Sequence, residues 1–401
     1  MSLSLKNCKI LVGEKWTTTN IFIDNSIIQH IGQFREADDI LDVKNKVVMP
    51  GLIDSHVHFR DPGFTNKEDF FSGSCSAAAG GVTTVLDMPN TMPTTTTRKA
   101  LEEKRQRAVK SLVNYGFHFG AMENNLAEIK KVNNIASVKV YMNETTGNLK
   151  LDTTSNHAFL KKVFNSFKRI AVHAERQQVK EALERTKKNE LYVCHVPGKQ
   201  ELDFIQKYRG KKTVFTEVTP HHLFLTKDDE KELGGFGIMK PRLGTKTDQR
   251  ALWQALGRGE VNTIATDHAP HTIEEKNAKK PPYGVPGLET ILPLLLNAVN
   301  EKKLTLQKVQ ELCCENPAKI FGIENKGSIA VGYDADLAVI DLDLVKPVQN
   351  ETLFTKCKWS PFNGWHLKGW PITTIVQGNI IYQDGDIFAQ CGGKEVQFSE
   401  P

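Results

Sequence analysis

The sequence predicts an α/β fold: a (β/α)8 TIM barrel carrying a small discontinuous β-domain built from the two ends of the chain. Three observations lead there. The middle of the chain alternates apolar strand-like runs with helix-period stretches, eight strand candidates in all. Those runs end repeatedly in residues able to bind a metal. Both ends of the chain read as short strands broken by turn residues.

At the N-terminal end the strand candidates are CKILVG, then TNIFIDNSIIQHIG with a turn at Asp24-Asn25, then the run into VKNKVVMP. A second set, GSIAVGYDADLAVIDLD and TTIVQGNIIYQDGDI, lies near the C-terminus. Neither set is long enough to bury two faces alone. Residues 1–49 and 324–395 are therefore expected to pair as one small β-sandwich-like domain, which leaves residues 50–323 for the barrel.

The barrel strands are expected in VVMPGLIDSHVHF, GVTTVLDMPN, NYGFHFGAM, ASVKVYM, RIAVHAE, LYVCHV, KTVFTEVTPHH and VNTIATDHAP. Helix-period stretches lie between and after them: RKALEEKRQRAVKSLV, HAFLKKVFNSF, RQQVKEALERTKK, KQELDFIQKY, TDQRALWQALGR and GLETILPLLLNAV. Thr94 to Thr97 is read as the entry to the first of these. About 270 residues for eight repeats is the size of a TIM barrel, whereas a doubly wound open sheet more often has about five to seven strands.

Composition narrows the function classes. The chain has 401 residues, 39% hydrophobic and 25% charged, the balance of an ordinary globular protein. No apolar run approaches the roughly 20 residues of a membrane-spanning helix. The N-terminus lacks a long apolar core of the secretory type, so a cytoplasmic protein is expected. A net charge of +5, with Lys and Arg dispersed among acids, argues against nucleic acid and is compatible with small anionic substrates. The seven cysteines (Cys8, Cys75, Cys194, Cys313, Cys314, Cys357 and Cys391) lack Cys-x-x-Cys spacing, and free thiols are expected.

In the first barrel strand His56 and His58 project to the same side, because alternate residues of a strand share a face. Alone, the pair could chelate a metal or simply pack at a strand end. A TIM barrel places its active site at the C-terminal ends of its strands. There the other runs supply Asn90, Lys139, His173, Cys194-His195, Glu217, His221-His222 and Asp267. His56, His58, His173, His195 and Asp267 form a nitrogen and oxygen ligand set suited to Zn²⁺. Lys139 sits mid-strand, where it either snorkels outward or reacts with carbon dioxide to give a carbamate that bridges two metals.

The motifs HVHFR, MPN, VKVYMNET, VHAER, CHV, EVTPHHLFL and TDHAPHT followed by PGLET resemble the dihydroorotase family of the amidohydrolase superfamily. The likeness is strongest to the type I enzymes, the kind also found as a domain of the animal multifunctional pyrimidine-synthesis protein. It covers essentially the whole chain. It implies that His56, His58 and Asp267 hold one Zn²⁺, that His173 and His195 hold a second, and that Lys139 is the carboxylated bridge. Arg60, Asn90 and His271 are implied to bind substrate, with Lys240, Thr145 and the loop from Pro282 to Gly287 nearby. The animal type also implies a third metal at Cys194 and Glu217, which could instead be a buried thiol and a supporting carboxylate. Where animal enzymes carry Thr-Phe on a flexible loop, this chain reads Thr145-Thr146-Gly147.

The activity implied is reversible cyclisation of N-carbamoyl-L-aspartate to L-dihydroorotate and water, with Asp267 moving the proton. The family also implies a homodimer and association with aspartate transcarbamoylase. Two rival readings stand beside it. One is an allantoinase or hydantoinase acting on a neutral ring; the other is a non-catalytic scaffold for the transcarbamoylase.

Overall fold

A computed structural model describes residues 2–12, 15–389 and 392–399, so Cys391 lies outside the described residues. Eight strands, Leu52–Val57, Val82–Asp87, Asn114–Gly120, Ser137–Tyr141, Arg169–His173, Glu190–Val193, Val214–Val218 and Thr263–Ile264, follow one another in a single parallel sheet. The last is only two residues long. The ring closes beyond it, where His58 N donates to His268 O at 2.8 Å and Val57 bridges His268. Every residue of the first two strands is buried, as expected of parallel strands covered on both faces.

The helices begin where the sequence supplies caps. Asp69 and Ser72 form a capping box on Phe70–Ala79, and Thr245 and Asp248 form one on Lys246–Gly257. Thr97 accepts from Ala100 N at 3.2 Å and starts Arg98–Ala108, the helix expected after the threonine run. Such a cap stabilises by about 1 kcal/mol. Among the described residues no helix is long and apolar enough to cross a membrane.

The two chain ends combine in one nine-stranded mixed sheet. Leu3–Val12 pairs with Lys15–Asp24, and Leu337–Pro347 joins it through Val47–Pro50. Leu5, Ile10, Ile21, Ile23, Ile28, Val48, Leu337, Val339 and Ile375 form its core.

Two details differ from the sequence expectation. The run VVMPGLIDSHVHF is two strands: Val47–Pro50 pairs antiparallel with Leu337–Ile340, and Leu52–Val57 opens the barrel. Gly51 makes the break, since a Cβ there would lie 2.1 Å from Thr83 Cγ2. Residues 392–395, expected in the small domain, lie instead on the barrel. Tyr115 N donates to Lys394 O at 3.0 Å, Arg105 pairs with Glu395 at 2.9 Å, and Val396 packs with Ile53, Leu86 and Phe321.

Candidate metal centre

The strand ends bring the expected ligands into one buried cluster. His58 Nδ1 lies 2.6 Å from Asn90 Oδ1, an acceptor, so the ring donates from Nδ1. Its Nε2 then faces Asp267 Oδ1 at 3.0 Å. His56 repeats the pattern, with Nδ1 2.8 Å from Glu217 Oε1 and Nε2 3.4 Å from Asp267 Oδ1. In both rings the second nitrogen thus faces a carboxylate oxygen, an arrangement that fits a cation held between them.

Across the barrel mouth His173 Nδ1 and His195 Nε2 are 2.9 Å apart. The other ring nitrogens, His173 Nε2 and His195 Nδ1, are buried without a hydrogen-bond partner among the described residues. Lys139 is fully buried, with Nζ 2.9 Å from the Cys194 thiol and 5.4 Å over the Tyr141 ring and no ion pair among the described residues. Orphaned ligand nitrogens beside a buried lysine with no counter-charge fit a site built around metal ions.

The electrostatics point the same way. Burial, helped by the positive charge of Lys139, holds His56 well below the ordinary imidazole value, and burial with His173 and Lys139 does the same to His195. His173 is lowered mainly by burial. These rings are thus in the neutral, metal-binding form. Burial works against ionisation of Asp267, but the hydrogen bond and charge of His58, with His221 and Lys139, keep its carboxyl below the ordinary range.

Backbone conformation supports the cluster as a functional site. Arg60, His195 and Asp267 all sit at strand ends with left-handed φ of 62°, 36° and 49°. Side chains rarely adopt that region, at roughly 1–3 kcal/mol each, and such strain collects at functional sites.

His56, Cys194 and Glu217 also bring ligand atoms within 4.8 Å of one another, as do His56, His58 and Asp267. Glu217 is heavily engaged. Oε1 receives His195 N at 2.8 Å as well as facing His56, and Oε2 receives Tyr192 OH at 2.8 Å. Burial pushes the Glu217 carboxyl up to about 8 and the Cys194 thiol up to about 12.

The residues expected at substrate line the same mouth. Arg60 is buried, with Nε donating to Pro270 O at 3.2 Å and a terminal nitrogen 3.1 Å from His271 Nε2. Asn90 Nδ2 donates to Thr146 O at 3.1 Å. Lys240 lies 3.6 Å from Glu175 Oε1, and both line a cleft of about 580 Å³ whose walls include none of the metal-type ligands, nor Arg60, Asn90 or His271. The Pro282–Gly287 loop is tied in by Gly287 N, 3.2 Å from His268 Nδ1. Thr145 is half-buried and makes no side-chain hydrogen bond among the described residues; its neighbour Thr146 docks instead, through Oγ1 to Tyr283 O at 3.1 Å.

Sequence reading missed several supports. Glu68, fully buried, receives Lys356 N at 3.2 Å, contacts Thr355 Oγ1 and lies 3.5 Å from His268 Nε2. Trp359, from the C-terminal part of the chain, donates Nε1 to His271 O at 2.7 Å. Glu175 lies between His173 and Lys240. The clue available was an acid or indole in an otherwise apolar or turn-rich stretch, with no periodicity to say what it meets.

Residues 47–381 match the amidohydrolase family. The chain belongs to the amidohydrolase family. Members are metal-dependent, and this amidohydrolase carries the donor groups such a metal needs. It is 38% identical to a protein named dihydroorotase from Methanosphaera stadtmanae, over 96% of this chain and 98% of that one. It is 40% identical to multifunctional protein CAD of Squalus acanthias, over 87% of this chain and 16% of that much longer one. Among solved structures, the L-hydantoinase of Arthrobacter aurescens superposes with a TM-score of 0.92 at 29% identity, covering 98% of this chain and 99% of that chain. The amidohydrolase barrel and the separate mixed sheet are thus shared features, and the protein is a cyclic amidohydrolase.

Proposed function

We propose that this amidohydrolase is a dihydroorotase, interconverting N-carbamoyl-L-aspartate and L-dihydroorotate plus water in pyrimidine synthesis. The observation that carries the reading is Arg60, buried with His271 beside the metal-type cluster. A buried guanidinium next to a neutral imidazole suits a carboxylate, which it can grip through paired charge-assisted bonds. Dihydroorotate has that carboxylate, while the rings of allantoin and hydantoin lack it. The curated relatives named dihydroorotase support the same reading.

His56, His58 and Asp267 would hold one Zn²⁺, and His173 and His195 a second, with Lys139 carboxylated on Nζ as the shared anionic ligand. Two metals are the core of the reading; a third at Cys194 and Glu217 would have to displace the contacts of Glu217 with His56, His195 and Tyr192 and of Cys194 with Lys139. The metal pair, when bound, supplies Lewis acidity at the ring amide and makes water reactive near neutral pH.

The chain's own residues do the rest. Arg60, Asn90 and His271 orient the substrate by its carboxylate, with Lys240 in the neighbouring cleft. The Thr145–Gly147 and Pro282–Gly287 segments exclude water around it. In hydrolysis the Asp267 carboxylate accepts the proton released from water and delivers it to the leaving ring nitrogen. Cyclisation starts from the protonated acid, so it is favoured at lower pH and hydrolysis at higher pH.

The retained ligand set supports catalysis over a purely scaffolding role. A cytoplasmic homodimer able to associate with aspartate transcarbamoylase completes the proposal. Purified, metal-replete protein assayed with L-dihydroorotate and N-carbamoyl-L-aspartate tests it. Interconversion in both directions is expected; no turnover of either would reject the reading.

A further inference from the structure

Lys276 has no role in the reaction just described, yet it is 1% exposed. Its Nζ donates to Pro282 O and Gly284 O, each at 2.9 Å, and to Ile238 O at 3.0 Å. It also stands 5.5 Å over the Trp359 ring and makes no ion pair among the described residues. Burying an ammonium without a carboxylate is costly, so the three carbonyls are what keep it there.

Two of those carbonyls flank Tyr283. With both drawn to Lys276, the carbonyl between them faces the site, where Tyr283 O meets His271 Nε2 at 2.9 Å and Thr146 Oγ1 at 3.1 Å. Gly284 permits the bend, with φ +132° and Ala269 O only 2.6 Å from where a Cβ would stand. On the other edge of the imidazole, Lys67 Nζ lies 3.3 Å from His271 Nδ1. Nδ1 also lies 3.4 Å from Glu275 Oε2, so each ring nitrogen faces one donor and one acceptor; the nearer acceptor is Tyr283 O at 2.9 Å, and it draws the ring proton to Nε2. Arg60, a pure donor 3.1 Å from the same Nε2, favours the other tautomer, so the placement of the Tyr283 carbonyl decides which nitrogen is protonated.

We propose that Lys276 is a positioning residue for the carboxylate-binding pair: by fixing the carbonyls on both sides of Tyr283 it sets the His271 tautomer and docks Thr146 beside Asn90. The clamp is an inference from the chain alone, and only the identity of the ligand rests on the dihydroorotase reading.

The test compares wild type with Lys276→Met and Lys276→Arg. In Lys276→Met, KM for L-dihydroorotate should rise roughly tenfold with kcat changed less than about threefold. Metal content should stay the same, and the ¹⁵N signature of His271 should shift from the Nε2–H tautomer to a mixture. Lys276→Arg should recover part of the KM. An unchanged KM and tautomer, with only a lower thermal midpoint, would overturn the proposal. If Lys276→Met does not fold, hydrogen exchange at Gly284 N, which donates to Ile238 O at 3.1 Å, carries the test in Lys276→Arg. Faster exchange is expected, and an unchanged rate would contradict the clamp. Wild-type protein inactive on dihydroorotate would reject the functional reading, while the tautomer and exchange measurements would still decide on Lys276.

Discussion

His58 and Asp267 are 209 positions apart in sequence, and their Nε2 and Oδ1 atoms lie 3.0 Å apart at the barrel mouth. The first strand and the turn after the last are thereby joined at one point. Asp267→Asn keeps the shape but removes the proton acceptor. Its kcat should fall by about three orders of magnitude, with at least one metal equivalent retained. Near-normal turnover would take the proton-transfer role away from Asp267.

Removing the metals should loosen the fold as well as stop the reaction. His173 Nε2 and His195 Nδ1 have no hydrogen-bond partner among the described residues, the nearest acid to the former being Glu175 at 3.7 Å, so a cation bound there stabilises the native state only. Dialysis against a chelator should abolish activity and lower the thermal midpoint by several degrees, both reversed by added Zn²⁺. A midpoint that ignores the chelator would argue that the histidines are not ligands.

Arg60→Lys keeps a positive charge but loses the planar fork, and the two side chains are not equivalent at a carboxylate. The expected result is a KM for dihydroorotate raised by roughly tenfold or more, with kcat affected less. Competition by a carboxylate-bearing ring analogue should weaken in parallel. Equal kinetics in the two proteins would remove Arg60 from the binding site.

Below the site, Asp87 accepts from Phe59 N at 2.7 Å and pairs with Lys104 at 2.5 Å, all of it buried. This pair holds the residue that follows His58. Lys104→Met leaves the Asp87 charge uncompensated and should destabilise by about 3 kcal/mol in chemical denaturation. A loss well under 1 kcal/mol would show that Asp87 is neutral or hydrated.

Glu289 gives a pH signature outside the metal centre. Burial pushes its carboxyl from 4.5 up to about 7, although Ser76 Oγ, Phe354 N and Thr355 N all donate to it. Between those values the native state binds more protons than the unfolded chain. The contribution to stability is therefore full below about 4.5 and lost as pH rises through about 7. Glu289→Gln should flatten the fall in thermal midpoint between pH 5 and 8 relative to wild type, roughly; identical slopes would exclude Glu289 as the source.

The barrel was legible because its strands are buried on both faces and stand out as apolar runs, and because the fold dictates where their polar ends must meet. The same logic found His56, His58, His173, His195 and Asp267. The split at Gly51 was not legible, since the reason is the approach of Thr83 from the next strand. Trp359 and Glu68 lie in stretches without periodicity and matter only through tertiary contacts with His271 and His268. Lys276 lies in a polar segment, and its burial depends on three carbonyls that only the tertiary fold brings together. Thr145 was expected near the substrate through the family resemblance, but the loop's own hydrogen bonds run through Thr146.

The most direct measurement is kcat/KM of metal-replete protein with L-dihydroorotate, allantoin, hydantoin and dihydrouracil side by side. A preference for dihydroorotate on the order of a hundredfold or more is expected, shrinking sharply in Arg60→Lys. Comparable or better turnover of the neutral rings by the wild-type protein would contradict dihydroorotase function.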